Sequence, residues 1–235
     1  MIRLLLLLGC LICTSEIVSQ STIFGPKVGL AAGFQSWRNT RSQPLLSYHA
    51  DLFIEGADED APAVFYGQLG LHSRGSKERV FIPIGTTASQ EVKQSIRFNN
   101  ASLQVGAKKR INATGTKRPY YSFGLRLEYT ISENFSDFEE FAGFLPLSTF
   151  VNKFNYGASL AFGYEFPFSE FVGGLVELSV NPDLSNQYDQ PQSFSIISPV
   201  NGQNVSLPAQ TVRNVTFELT VGFRFLHKVI YVDDY

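Results

Sequence analysis

Residues 215–225 of this 235-residue chain read VTFELTVGFRF. Apolar side chains occupy every second position, and Thr, Glu, Gly or Arg fills each position between them. This alternation has the period of a β-strand, in which successive side chains point to opposite faces. In a helix, which has a period of 3.6 residues, the same pattern would not gather the apolar side chains on one face. The stretch therefore predicts a strand that has one apolar face and one polar face.

The same alternation recurs along most of the chain. It is clearest at 121–131 and 154–166, and weaker versions cover five further segments. These are residues 27–37, 46–55, 63–74, 95–108 and 171–181. In 95–108 the apolar positions change parity at Asn99 and Asn100, which predicts a β-bulge there. Together the segments predict eight strands, each about ten residues long.

The connections between the predicted strands alternate in length. In chain order they are residues 38–45, 56–62, 75–94, 109–118, 132–150, 167–170 and 182–213, and the odd-numbered ones are mostly long. In an up-and-down sheet all odd connections lie at one end and all even connections at the other. Long loops at one end and short turns at the other are typical of bacterial outer-membrane β-barrels.

The composition narrows the class of protein further. Charged residues make up 17% of the chain, below the roughly 25% of an ordinary soluble domain, and aromatic residues make up 14%. No apolar run after the N-terminus approaches the roughly 20 residues of a membrane-spanning helix. A net charge of −2 offers no basic surface for nucleic acid, so a nucleic-acid partner is excluded.

The first residues have the composition of a signal peptide. A single charge at Arg3 precedes an apolar stretch at 4–14, and small residues follow it. We expect residues 1–20 to be removed on export and residues 21–235 to form one barrel domain. Both cysteines of the chain lie in the predicted signal peptide, so the mature domain is predicted to fold without disulfides.

Alternation alone leaves open which face of the strands points outward. A soluble, lipocalin-like barrel would turn its apolar face inward and bind an apolar ligand there. The polar face of this chain consists largely of Gly, Ala and Ser, which suit the narrow lumen of an eight-stranded barrel. Aromatic residues also gather near the strand ends, as in the interfacial girdles of membrane barrels. We therefore predict that the apolar face contacts lipid.

The charged residues of the polar face are the candidate site residues. They carry both signs, and in a closed lumen they have to pair because an unpaired buried charge is very costly. The prediction is a structural ionic network in the lumen. Its members are Lys27, Asp51, Glu55, Arg74, Lys108, Arg126, Glu128, Glu165, Glu177, Glu218 and Arg224.

Two segments and the signal peptide carry a resemblance to a known family. Residues 25–33 read GPKVGLAAG and residues 66–75 read YGQLGLHSRG. The chain resembles the small outer-membrane β-barrels of Bacteroidota, known as porin-family or PorT-like barrels. Residues 101–107, ASLQVGA, lack the Tyr-Leu…Pro pattern of many members. The resemblance implies eight strands and an outer-membrane location but no reaction, and one branch of the family serves type IX protein secretion.

The sequence carries no recognisable pattern for catalysis or metal binding. The spacing of its three histidines is not that of metal ligands. His72 and Ser73 are neighbours on a predicted strand and point to opposite faces, so His72 cannot activate Ser73. Asp137, Glu139 and Glu140 are interpreted as a solvated acidic loop rather than a cation site. We predict no enzymatic activity, no cofactor and no metal.

The sequence as a whole predicts an all-β, eight-stranded, antiparallel, up-and-down transmembrane β-barrel with both ends of the mature chain in the periplasm. A lumen filled by side chains argues against passive conduction of solutes. Function is therefore predicted to be structural, or an interaction made through extracellular loops. The expected partners are outer-membrane lipid and a protein bound at those loops or at the periplasmic turns. The alternatives are a subunit of a type IX secretion system and a soluble secreted barrel that binds an apolar ligand.

Overall fold

The computed structural model describes residues 21–37, 41–57, 63–84, 88–111, 118–135, 148–197, 204–207 and 209–229. Its strands are β1 (Thr22–Gln35), β2 (Arg41–Gly56), β3 (Val64–Ile84), β4 (Ala88–Arg110), β5 (Arg118–Glu133), β6 (Phe154–Pro167), β7 (Val172–Pro182), β8 (Tyr188–Gln190), β9 (Ser193–Ile197), β10 (Asn204–Leu207), β11 (Gln210–Val212) and β12 (Asn214–His227). One short 3-10 turn covers Ser148–Phe150. None of the described residues forms a helix long and apolar enough to cross a membrane.

The long strands close into one antiparallel barrel. Its order is β1-β12-β7-β6-β5-β4-β3-β2, so each of the eight long strands pairs with the next long strand along the chain, and β12 returns to pair with β1. At that seam Lys27 lies opposite Gly222, and Leu30 lies opposite Leu219. The prediction of an all-β, eight-stranded, antiparallel, up-and-down barrel is confirmed.

The two ends of the barrel differ. We call the end at which β1 begins and β12 finishes the terminal rim. It also holds the turns that join β2 to β3, β4 to β5 and β6 to β7. We call the opposite end the loop rim. There β8 pairs with β11 and β9 with β10, so the 182–213 connection, predicted as a loop without periodicity, contains two small sheets.

The two faces of the barrel wall follow the alternation of the sequence. Leu30, Leu125 and Leu219 point outward and are each more than half exposed. Their neighbours on the other face, such as Arg126 and Thr220, are buried in the lumen. Because side chains alternate strictly along a strand, this one choice of face fixes the environment of every residue in the wall.

The prediction that residues 75–94 form a loop is wrong. Strands β3 and β4 stay paired through this segment up to Ile84, which lies opposite Ala88. The hairpin runs past the loop rim, because the pairing of β3 with β2 stops at Arg79 and that of β4 with β5 stops at Phe98. Residues 80–84 read VFIPI, so the period-2 signal is lost there although the backbone still pairs.

The irregularity predicted at Asn99 and Asn100 exists, but its form differs from the prediction. The register between β4 and β5 shifts at this point, and Ile131 of β5 is the extra residue. Ile96 and Phe98 stay on the buried side of β4, as does Asn100. The parity of apolar residues changes because the inside of the barrel turns apolar near the loop rim, not because β4 reverses its faces.

Candidate functional site: the closed lumen

A first cluster of charges lies in the lumen near the terminal rim, and we call it the terminal ion cluster. Lys108 Nζ lies 2.8 Å from Glu55 and also pairs with Glu165. Arg110 contacts the same two carboxylates, at 2.7 Å from Glu55 and 3.2 Å from Glu165. Arg224 adds a contact to Glu165 at 2.8 Å. The cluster thus draws on strands β2, β4, β6 and β12 and ties four parts of the wall together.

A neighbouring pair extends this cluster across the lumen. Lys27 Nζ lies 3.3 Å from Glu177 and donates a hydrogen bond to Gln68 at 3.2 Å. The Tyr120 hydroxyl donates to Glu177 at 2.7 Å. The ring of Tyr120 also lies 4.1 Å from Lys108 Nζ, so a cation–π contact joins the pair to the terminal ion cluster.

A second cluster lies deeper towards the loop rim, and we call it the inner ion cluster. It consists of Arg74, Arg126, Glu128 and Asp183. Each arginine contacts both carboxylates: Arg74 at 3.0 Å from Glu128 and 2.7 Å from Asp183, and Arg126 at 2.6 Å and 3.3 Å. All four residues are buried. The cluster holds two positive and two negative charges. Their mutual attraction therefore offsets the cost of removing the four side chains from water.

Two of the predicted lumen residues lie apart from these clusters. Asp51 lies 3.7 Å from the ring of His49, whose Nε2 is 2.9 Å from the Thr220 hydroxyl. Glu218 accepts a hydrogen bond from Ser179 at 3.3 Å. Within the described part of the chain, neither carboxylate pairs with a lysine or arginine.

Sequence reasoning missed two members of the clusters. Arg110 is the last residue of β4 and fell in the predicted turn 109–118. Asp183 follows the last residue of β7 and fell in the predicted loop 182–213. Both lie at a strand end, where a period-2 pattern has too few residues to assign a face. Each of them contacts charges of the opposite sign that were assigned to the lumen from the sequence.

Above the inner ion cluster a polar layer crosses the lumen. Gln35 pairs with Asn214 and accepts hydrogen bonds from the Ser76 hydroxyl at 3.0 Å and from the Trp37 indole at 2.9 Å. Asn214 donates to Asp183 at 3.0 Å, which connects this layer to the inner ion cluster.

Strand β3 leans across the barrel at this level. Gly75 has a φ of +151°, which favours glycine, and a Cβ there would overlap the carbonyl oxygen of Ile96. A Cβ on Gly33 of β1 would lie 2.6 Å from the Gly75 carbonyl oxygen. Strands β1 and β3 are not neighbours in the barrel, so their contact here narrows the lumen.

An apolar cap covers the lumen at the loop rim. Its members are Trp37, Ile96, Phe98, Phe135, Tyr188 and Val212, all buried. The rings of Trp37 and Tyr188 lie 5.2 Å apart, and those of Phe98 and Phe135 lie 5.5 Å apart. Ile96 and Phe98 belong to this cap, so the parity change at Asn99 and Asn100 also marks the point where the lumen turns apolar.

The lumen between the two rims is filled. A cavity of about 10 Å³ lies beside Lys27, Gln68 and Gln104, which is room for about one water molecule. A larger space of about 480 Å³ lies at the opening of the barrel at the terminal rim. Arg118 and Phe171 are among the residues that line it. Within the described residues these two spaces share no lining residue, so they do not join into one passage.

The geometry offers little for catalysis or metal binding. Among the described residues, no three His, Cys, Asp or Glu side chains converge as metal ligands. His72 lies 3.4 Å from Glu128 inside the lumen, whereas Ser73 hydrogen-bonds to Asn99 on the other face of β3. The acidic cluster at 137–140 lies outside the described residues.

Aromatic pairs mark both ends of the outer wall. Phe24 and Phe225 lie near the terminal rim with ring centroids 6.0 Å apart. Near the loop rim, ring centroids lie 5.6 Å apart for Phe34 and Phe217 and 5.0 Å apart for Tyr129 and Phe154. Mostly aliphatic side chains cover the wall between them, so the outer surface has the layout of a lipid-facing belt with two girdles.

Comparisons with known proteins agree on the fold. No protein-family model matches the sequence, and no curated protein matches it significantly. The solved structure of the outer-membrane protein OprG from Pseudomonas aeruginosa superposes with a TM-score of 0.55 at 9% identity, over 90% of this chain and 97% of OprG. Identity this low shows the barrel fold alone.

Two further solved structures are similar to this chain at lower TM-scores. Neisserial surface protein A gives 0.47 at 11% identity, over 86% of this chain and 96% of that protein. Ail of Yersinia pestis gives 0.42 at 13% identity, over 87% of this chain and 99% of that protein.

Proposed function

We propose that this protein resides in the outer membrane as a barrel with a closed lumen, and that it acts as a structural or interaction protein through its loop-rim surface. The observation that carries the proposal is the distribution of side chains across the wall. Outward side chains along the strands are apolar and exposed, while the charges inside are buried and most of them are paired. An exposed apolar surface that surrounds a whole barrel is far larger than water-soluble proteins tolerate.

A bilayer removes this difficulty for both the side chains and the backbone. A closed barrel leaves no strand edge, so the backbone groups of its wall are satisfied within the protein. The two aromatic girdles place rings where the hydrocarbon meets the headgroups. The same distribution argues against the alternative of a soluble barrel with an apolar ligand inside, because the interior holds charges and little space.

The closed lumen argues against a pore. A solute would have to displace the apolar cap, the Gln35 and Asn214 layer and two ion clusters in turn. Each step would expose paired charges or break buried hydrogen bonds, which makes passive conduction costly. What remains available to partners is the loop rim, where the β3–β4 hairpin and the β8–β11 sheet extend the barrel.

We assign the loop rim to the exterior and the terminal rim to the periplasm. The terminal rim carries the short turns and both ends of the barrel, as periplasmic rims do in outer-membrane barrels. The narrower resemblance to PorT-like barrels of Bacteroidota, and with it a role in type IX secretion, stays a prediction. Recovery of secretion-system proteins with the purified barrel would support that role.

Two measurements test the proposal. Native protein should sediment with the outer-membrane fraction and resist extraction by alkaline wash, and recovery in the soluble periplasmic fraction would contradict the membrane placement. In planar bilayers the purified protein should give no steady ion conductance. Long-lived channels of constant size would contradict the closed lumen while leaving the membrane placement intact.

A further inference from the structure

A hollow of about 430 Å³ indents the outer wall of the barrel near the terminal rim. It lies across β1, β12 and β7 and reaches the turn that joins β6 to β7. The residues that shape it are Pro26, Phe166, Phe168, Gly174, Val176 and Phe223. The side chains that line the hollow towards the outside of the barrel are apolar. The volume of the hollow falls within the range of about 300–1,000 Å³ that is usual for small-molecule sites.

A glycine of β7 lies at the edge of the hollow. Gly174 occupies an outward position of β7 between Val172 and Val176, so the apolar face lacks one side chain there. Gly174 lies opposite Phe223 on β12, whose ring is more than half exposed. A Cβ on Gly174 would lie 2.8 Å from the ring tip of Phe168, so this ring packs over the buried Gly174 and forms one side of the hollow.

An interruption of the wall lies beside the hollow. The pairing of β1 with β12 passes from Phe24 opposite Phe225 to Lys27 opposite Gly222, with Pro26 in the interval. Proline has no N–H to donate across the seam. Lys27 lines the hollow as well, but its ammonium group points into the lumen towards Glu177 and Gln68. The hollow is therefore free of side-chain charge.

We propose that this hollow binds one acyl chain of a membrane phospholipid. The inference rests on the proposed membrane placement, since the hollow is continuous with the apolar belt and only lipid is present at that surface. The rings of Phe166, Phe168 and Phe223 line the hollow and hold a linear chain by contact along its length.

The test uses a tryptophan as a reporter in the wall of the hollow. Phe223→Trp is made in a Trp37→Phe background, which removes the natural tryptophan of the cap. The folded protein in detergent micelles is titrated with phosphatidylethanolamine that has brominated acyl chains, which quench tryptophan fluorescence on contact. A site for one chain gives quenching that saturates at a low mole fraction of the probe and is reversed by unbrominated phosphatidylethanolamine.

Two variants and one control separate the hollow from the rest of the belt. Gly174→Leu displaces the Phe168 ring and narrows the hollow, and Phe168→Ala removes one wall from the turn between β6 and β7. Each is expected to raise the half-saturating mole fraction severalfold. Gly67→Leu adds the same side chain at another outward glycine, where the nearest atom to a Cβ is Ile54 Cγ2 at 3.8 Å, and should leave the titration unchanged.

The outcomes also distinguish this inference from the proposed function. Quenching that rises linearly with probe, or is equal in all variants, overturns the acyl-chain site and leaves the membrane placement standing. Equal saturation by a brominated free fatty acid overturns the assignment to phospholipid. Protein that is recovered from cells in the soluble fraction overturns the membrane placement and the inference together.

Discussion

Gly25 occupies the tightest approach between two strands of the barrel seam. A Cβ at this position would overlap the carbonyl oxygen of Phe223 and lie 2.9 Å from its carbonyl carbon. Both atoms belong to the backbone of β12, so relief requires movement of the strand itself. The Gly25→Ala variant should therefore lose about 1–3 kcal/mol of unfolding free energy, the usual cost of overpacking.

Gly67→Ala is the matched control for that prediction. Gly67 is also a strand glycine, but the added methyl group would meet only Ile54 at an ordinary contact distance. Its unfolding free energy should stay within about 0.5 kcal/mol of the parent. Urea titration of both variants in vesicles, followed by Trp37 fluorescence, makes the comparison. Equal losses would show that the seam is looser than the geometry requires.

Arg74 is the buried centre of the inner ion cluster. Removing it leaves Glu128 and Asp183 buried with Arg126 as their remaining arginine. We expect Arg74→Met to cost about 3–5 kcal/mol of unfolding free energy, because a buried carboxylate is left without compensation. Equilibrium unfolding in urea measures the loss, and a double variant with Asp183→Asn should recover part of it.

An exposed ion pair of the same protein provides the contrast for Arg74. Lys228 lies 3.0 Å from Glu170 at the terminal rim, and both side chains are about half exposed. Lys228→Met should change the unfolding free energy by only about 0–1 kcal/mol. If Arg74→Met costs no more than Lys228→Met, the inner ion cluster contributes nothing to holding the strands together.

The lumen charges show that a sequence pattern predicts the face on which a side chain lies but not its partner. Parity along each strand was enough to predict which faces are polar, so Glu128 and Arg126 were assigned to the lumen from the pattern alone. Which charges meet across the lumen depends on strand register and tilt, which the pattern does not encode. Asp51 and Glu218 lie on the polar face yet outside the two ion clusters for that reason.

Strand β12 has outward positions at different depths in the proposed bilayer, so substitutions along it test the membrane placement. Leu219 lies near the middle of the strand, opposite Leu30 on one side and Leu178 on the other, and Val215 lies close to its beginning. Leu219→Lys should cost about 2–4 kcal/mol of folding free energy in a bilayer, and Val215→Lys only about 0–1 kcal/mol. Folding into lipid vesicles, followed by urea titration, measures both.

Thr220 serves as the internal control on the same strand. It is buried in the lumen beside His49, so Thr220→Lys should disrupt packing whatever the depth. A silent Thr220→Lys, together with equal costs at Leu219 and Val215, would contradict both the filled lumen and the lipid-facing belt.

The strands themselves were predicted better than their ends. All eight long strands of the barrel follow the apolar alternation, because the wall separates two environments and each position has to suit one of them. Beyond the rims that constraint disappears. The β3–β4 hairpin continues through residues without alternation, and the apolar residues of the cap point inward, so both were misread from the sequence.

The molecule as a whole is an inverted version of a soluble protein. Its exterior is apolar, and its interior is held by ion pairs, hydrogen bonds and one cap of aromatic rings. The barrel can tolerate so many buried charges because cations and carboxylates meet in clusters inside the lumen. The same filling that stabilises the wall leaves the loop rim as the surface where we propose that a protein partner binds.

The two rims should therefore differ in their access from outside the cell. The predicted mature chain has no cysteine, so single cysteines can be introduced at exposed sites, Thr211→Cys at the loop rim and Ser169→Cys at the terminal rim. A membrane-impermeant maleimide added to intact cells should label the first variant and not the second, because the proposed orientation places Ser169 in the periplasm. Disruption of the outer membrane should make both sites reactive, which controls for their exposure.

Labelling of Ser169→Cys but not of Thr211→Cys on intact cells would show that the orientation is the reverse of the proposed one. The β3–β4 hairpin and the β8–β11 sheet would then face periplasmic rather than extracellular partners.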